Sequence, residues 1–154
     1  MAEQNQNVII VLGYEMVENT TILELKDFSD EKYGSLVVVE AMRGIPFNVK
    51  RVYYIYGVPG GETRGHHSHN ELEQVLICVS GSVCITVSTD DTEEDVLLDS
   101  PTKGLYIGPM VWRVMKDFSS DAVLLVLASE YFDEADYIRS YDSYAEKAKE
   151  YFKK

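Results

Sequence analysis

The sequence predicts an all-β domain, a small barrel or sandwich with a short helical segment at its C-terminal end. Short apolar runs rich in β-branched and aromatic residues recur along the chain, each bounded by turn residues. Helical spacing of apolar residues begins only near Asp133. The 154 residues fit one domain, 1–154, large enough to bury its own core, and a hydrophobic share of 45% excludes wholesale disorder.

The expected elements follow in order. Val8–Gly13 and Thr21–Leu25 read as strands, and SLVVVEA from Ser35 as a stronger one. Val49–Tyr56, VKRVYYIY, suits a sheet, and the glycines and proline of GVPGG turn the chain at Gly57–Gly61. The polar stretch ETRGHHSHNELE follows. QVLICVSG and SVCITVST form the next two strands, turned at Ser80-Gly81. DDTEED, Asp90–Asp95, reads as a solvated hairpin tip because like charges resist burial. LYIGPMVWRVM and AVLLVLAS supply two more strands. From Asp133 to Lys154, Tyr137, Tyr141, Tyr144 and Ala148 approximate a helical stripe, read as a packing face, with Asp133 and Asp136 as a loose cap.

Composition narrows the partners. The formal charge of -12, from 14 basic and 26 acidic residues, argues against nucleic acid and acidic membranes. Locally, Arg43, Lys50, Arg51 and Arg64 face only Glu62, a net +3 between residues 43 and 64. Either these cations form surface ion pairs or they mark a site for one anionic small molecule. Cys78 and Cys84, the only cysteines, lie in apolar runs that suit reduced thiols and a cytoplasmic setting. The N-terminal segment lacks the pattern of a signal peptide, and no run is long enough to span a bilayer.

His66, His67 and His69 are the only histidines. In an extended segment His67 and His69 share a face while His66 points away. The segment resembles the first motif of the cupins, small β-barrel or jelly-roll domains: HxH, a glutamate, then a glycine. Counting back from Gly81 puts Gln74 at the glutamate position; counting forward from His69 puts Glu73 there. The second cupin motif brings a further histidine after a proline, whereas here Pro109 precedes Trp112 and Arg113. Two imidazoles and an amide make a poor site for zinc or iron, so a metal-free pocket is expected, in which histidine exchanges protons near neutrality.

Beyond that motif, about residues 20–145 resemble the cupin-type dTDP-4-keto-6-deoxyglucose 3,4-ketoisomerases. The resemblance rests on GSLVVVEAMRGIPFNVKRVYYIYGVPGGETRGHHSHNELEQVLICVSGS, on DSPTKGLYIGPMVWRVMKDFSSDAVLLVLASEYFDEADYIRSYD, and on their order. The family's RGxHxH pattern falls on Arg64, Gly65, His67 and His69, which implies His67 and His69 as the catalytic pair. It also implies movement of the ketone from C4 to C3 through an enediol-like intermediate, without metal or nicotinamide cofactor. A homodimer exchanging N-terminal strands, and a role in deoxysugar supply for surface glycans, are implied as well. Arg113 stands where similar members commonly have histidine.

Arg51 and Arg64 are candidates to hold the diphosphate of the dTDP-linked 4-keto-6-deoxyhexose. Tyr53 or Tyr54 can offer it a ring or hydroxyl, and Gln74 and Arg113 are further substrate-binding candidates. Two alternatives stand beside the ketoisomerase: a non-catalytic nucleotide-sugar-binding cupin and a dTDP-sugar 3,5-epimerase.

Overall fold

The computed structural model describes residues 16–153, and the strand expected at Val8–Gly13 lies outside them. In chain order the strands are β1 (Thr20–Glu24), β2 (Lys26–Asp30), β3 (Gly34–Val38), β4 (Arg51–Tyr56), β5 (Arg64–His69) and β6 (Gln74–Ser80). They continue with β7 (Val83–Ser88), β8 (Glu93–Leu98), β9 (Lys103–Ile107), β10 (Trp112–Lys116), β11 (Val123–Ala128) and β12 (Tyr137–Ile138). Helix α1 (Tyr141–Tyr151) follows. One antiparallel sheet has the order β1-β9-β6-β11-β4 and a second the order β12-β5-β10-β7-β8, while β2 and β3 form a separate hairpin.

The two sheets share one core. Leu76, Leu105, Leu124 and Val126 of the first meet Val83, Ile85, Val87 and Met115 of the second. Period-two alternation explains β7, where Val83, Ile85 and Val87 are buried and Cys84 and Thr86 between them are half-exposed. β6 reads as a continuous apolar run because both its faces are covered. Leu76 and Cys78 enter the central core, and Val75 and Ile77 pack with Leu23, Ile45, Phe47 and Leu127 on the outer side. Leu76 is fully buried, so its truncation to alanine costs about 2–5 kcal/mol.

Three sequence expectations are corrected. The run Leu105–Met115 is two strands, since Gly108 and Pro109 lead into Met110 at φ 62° and the chain reverses into the second sheet. The acidic run is only partly a tip: Glu93–Asp95 begin β8, where Asp95 accepts from Thr86 Oγ1 at 2.6 Å and pairs with Lys116 at 2.9 Å. The helix starts at Tyr141, capped by Ser140, whose hydroxyl accepts from Ser143 N. Asp133 instead caps the single 3-10 turn Glu134–Asp136, through Ala135 N at 3.0 Å. Tyr144 and Ala148 do form a packing face, against Met110, Trp112 and Ile138. Tyr137 does not belong to it, because Tyr137 and Ile138 pair with β5.

β2 had no apolar signal to reveal it. Its KDFSD is wholly exposed and is held as a strand by pairing with β3.

Candidate active site

β5 places the histidines. Gly65 and His66 both take positive φ, 86° and 56°, beside an irregular register between β5 and β10. His66 is turned outward, its Nε2 at 2.8 Å from Thr63 Oγ1. His67 and His69 turn inward with ring centroids 4.9 Å apart in edge-to-face contact. The shared face expected from their spacing is therefore present.

Tyr137 lies on both rings, 5.0 Å from His67 and 4.3 Å from His69. The Arg139 guanidinium lies 4.3 Å from the tyrosine ring and is held by Glu134 at 2.6 Å. Asp136 Oδ2 stands 3.3 Å from His69 Nδ1.

Arg113, directly opposite His67 on β10, is fully buried. Its Nη1 donates to Gln74 Oε1 at 2.5 Å and its Nη2 to Val111 O at 2.9 Å. Gln74 Nε2 in turn donates to Tyr53 OH at 2.9 Å. Gln74 thus faces inward, while Glu73 accepts from Tyr106 OH at 2.8 Å elsewhere. Of the two counts to the motif's acidic position, the one ending on Gln74 gives the inward side chain.

Burial, followed by the Arg113 charge, lowers the His67 imidazole to about 4 and the His69 imidazole to about 2. Both are neutral at pH 7. Burial also lowers Arg113, to about 10, which leaves it charged. A fixed cation here and a neutral amide at Gln74 do not suit a metal. Among the described residues no three His, Cys, Asp or Glu side chains group to hold one.

His69 opens onto a cleft of about 320 Å³, lined also by Arg51, Phe132, Asp136 and Tyr137. Arg51 lies 5.3 Å from the Tyr53 ring and 5.8 Å from Phe132, and its Nε and Nη2 are buried without a hydrogen-bond partner. An unpaired guanidinium edge at a cleft suits an anion. Of the four clustered cations, Arg43 and Lys50 pair with Glu40 and Glu130, at 3.8 and 2.7 Å. The ion-pair reading therefore fits those two and not Arg51.

The structure brings His67, His69, Arg51, Tyr53, Gln74 and Arg113 together. It does not bring Tyr54 or Arg64 to them. Tyr54 is exposed on the outer face of β4 beside Tyr56, because adjacent strand residues point oppositely and Tyr53 takes the inner face. Arg64 is exposed at the start of β5. Sequence reasoning missed Asp136, Tyr137 and Phe132. The available signal was Ser140, a helix-cap residue that detaches the preceding DYIR from the helix.

Two facing antiparallel sheets with an inward histidine pair on one strand define a cupin, here with a buried arginine on the neighbouring strand opposite that pair. The chain belongs to the family described as FdtA: WxcM-like, C-terminal, whose model matches residues 18–149. It is 50% identical over 123 residues to a TDP-4-oxo-6-deoxy-alpha-D-glucose-3,4-oxoisomerase from Aneurinibacillus thermoaerophilus, covering 80% of this chain and 88% of that protein. The sugar 3,4-ketoisomerase QdtA from Thermoanaerobacterium thermosaccharolyticum, solved with TDP, is 53% identical with a TM-score of 0.87. That match covers 90% of this chain and all of the other, 100%. A His-to-Asn mutant of QdtA, solved with TDP-4-keto-6-deoxyglucose, matches with 51% identity, TM-score 0.87 and the same coverage, 90% and 100%.

Proposed function

We propose that this chain is a 3,4-ketoisomerase that moves the ketone of a dTDP-4-keto-6-deoxyhexose from C4 to C3, with His67 and His69 as its proton-transfer groups. The observation that carries this reading is the pair of inward, neutral imidazoles 4.9 Å apart, held beside a buried arginine, with His69 lining the cleft. A neutral imidazole is the form a general base requires. His67 takes the C3 hydrogen, made acidic by the adjacent ketone, and passes a proton to the C4 oxygen, giving an enediol. His69 takes the proton of the C3 hydroxyl as that oxygen becomes the ketone, and returns it to C4. Protons balance and no electrons leave the substrate, so the reaction needs no redox cofactor. Arg113 supplies the fixed positive charge that stabilises developing oxyanion character.

Arg51, with two buried donors unpaired, is the stronger candidate for the substrate's diphosphate, and Phe132 and Tyr53 flank it. Gln74 fixes the Tyr53 hydroxyl and one edge of Arg113. Arg64 and Tyr54 contribute to binding only if substrate or a partner subunit reaches the outer surface.

The chain is proposed to act as a single-domain homodimer. Among the described residues β4 is an edge strand, and Val52, Tyr54 and Tyr56 expose an apolar row along it. No helix among the described residues is long and apolar enough to cross a membrane. Free cysteines and a charge of -12 support a cytoplasmic enzyme without nucleic-acid or membrane partners. Incubation with dTDP-4-keto-6-deoxyglucose in deuterium oxide, followed by NMR, tests the reaction. A 3-keto product deuterated at C4 is expected; label at C5 indicates an epimerase, and an unmoved ketone a binding protein.

A further inference from the structure

We propose that Asp136 is a positioning residue for His69: its carboxylate selects the tautomer protonated on Nδ1 and so presents Nε2 as a proton acceptor. The proposal deepens the ketoisomerase reading and rests on it for its catalytic consequence.

Asp136 cannot easily swing away. Its Oδ1 accepts from Glu71 N at 2.9 Å and its Oδ2 from Leu72 N at 3.2 Å. Its carbonyl accepts from Asn70 N at 3.0 Å and Asn70 Nδ2 at 3.1 Å. The next residue, Tyr137, pairs with His69 across the strands. The carboxylate is thereby clamped to the backbone on one side and left 3.3 Å from His69 Nδ1 on the other. An ionised carboxylate only accepts hydrogen bonds, so the imidazole nitrogen beside it must carry the proton.

His69 is 1% exposed, and neither ring nitrogen has an aligned hydrogen-bond partner. Such catalytic contacts are often long or poorly aligned before substrate arrives. Nδ1 has the Asp136 carboxylate within reach, and Nε2 is the nitrogen left to meet a substrate group. Burial and the surrounding cations make the carboxylate necessary. Burial, then Arg113 from β10, Arg51 from β4 and Arg139 beyond β12, all oppose a proton on His69, as does His67 on the same strand whenever it is itself protonated. Asp136 is the anion in contact with the ring that offsets them once Nε2 has taken its proton.

The test uses the full-length protein labelled with 15N-histidine. Long-range proton–nitrogen correlation at pH 7 reads the tautomer, with His69→Asn assigning the signal. Wild type is expected to carry the proton on Nδ1. Asp136→Asn can turn an amide donor toward the ring, and is expected to shift the proton to Nε2. It should also lower kcat by about 10²-fold or more with KM changed only a few-fold, since a wrong tautomer disables a base whose position is intact. A merely structural Asp136 would move stability and not the tautomer. Wild-type His69 protonated on Nε2 overturns the proposal even if the variant does not fold, as does a folded Asp136→Asn with unchanged tautomer and kcat. A wild-type protein without ketoisomerase turnover refutes the functional reading instead, while the tautomer still decides the role of Asp136.

Discussion

Gly65→Ala should damage both the fold and the histidine pair, by an amount that its surroundings allow to be worked out. Gly65 sits at φ 86°, and a Cβ there would come within 2.9 Å of the Arg113 carbonyl oxygen, closer than ordinary packing allows. The left-handed conformation costs an L-residue about 1–2 kcal/mol. Relieving the overlap against backbone, which cannot rotate away, costs about 1–3 kcal/mol more. A total of about 2–5 kcal/mol lowers Tm by about 7–14 °C in a chain of this size, taking the middle of that range. Pushing β5 away from β10 also misplaces His67, and a shift near 1 Å costs about 10² in rate.

Two control glycines separate the contributions. Gly61 has φ 84° but nothing within 4 Å of its added Cβ, so Gly61→Ala should lower Tm by only about 3–6 °C. Gly60 has neither constraint, and Gly60→Ala should stay within about 2 °C of wild type. Scanning calorimetry of the three variants, with turnover at 25 °C, makes the comparison. A Gly65→Ala protein no less stable than Gly61→Ala, with wild-type turnover, refutes the packing argument.

Acidification from pH 7 to pH 5 should lower Tm. His67 and His69 lie below the ordinary histidine value when folded, at about 4 and about 2, so the unfolded chain takes up protons first as pH falls through about 6.5. Their contribution to stability is present above that pH and lost on acidification, and His67→Asn should show a shallower fall; equal slopes contradict the assignment. Activity should survive thorough chelation, because a cation and a neutral amide, Arg113 and Gln74, stand beside the histidine pair where further metal ligands would be needed; loss restored by one specific metal contradicts this. Light scattering should report a dimer, and lysine at both Tyr54 and Tyr56 should weaken it; a wild-type monomer across working concentrations contradicts the proposed assembly.

The sheets were legible because β6, β7 and β11 concentrate β-branched and apolar residues, and the inward histidines because strand geometry fixes alternate faces. Gln74 was legible by counting from the turn at Gly81. What the sequence concealed was the strap between β11 and α1. Asp136 and Tyr137 lie in a segment whose spacing continues the helical stripe of Tyr141 and Tyr144, so local periodicity assigns them to a helix. Pairing with His69 and Ser68, across more than sixty residues of chain, overrides that preference. Tyr53 and Tyr54 were equivalent until the register of β4 with β11 chose the inward one. Arg64 stood out through the run of cations between residues 43 and 64 and through the RGxHxH resemblance, and the structure leaves it exposed at the start of β5.

Paired kinetics and binding on His67→Asn test the central assignment most directly. Asparagine keeps a polar side chain of similar volume and removes the base. With folding verified, turnover of dTDP-4-keto-6-deoxyglucose should fall by about 10²-fold or more, while the Kd for the nucleotide sugar measured by calorimetry changes only a few-fold. Wild-type turnover by the folded variant would show that His67 is not the base, and loss of binding alone would make it a recognition residue.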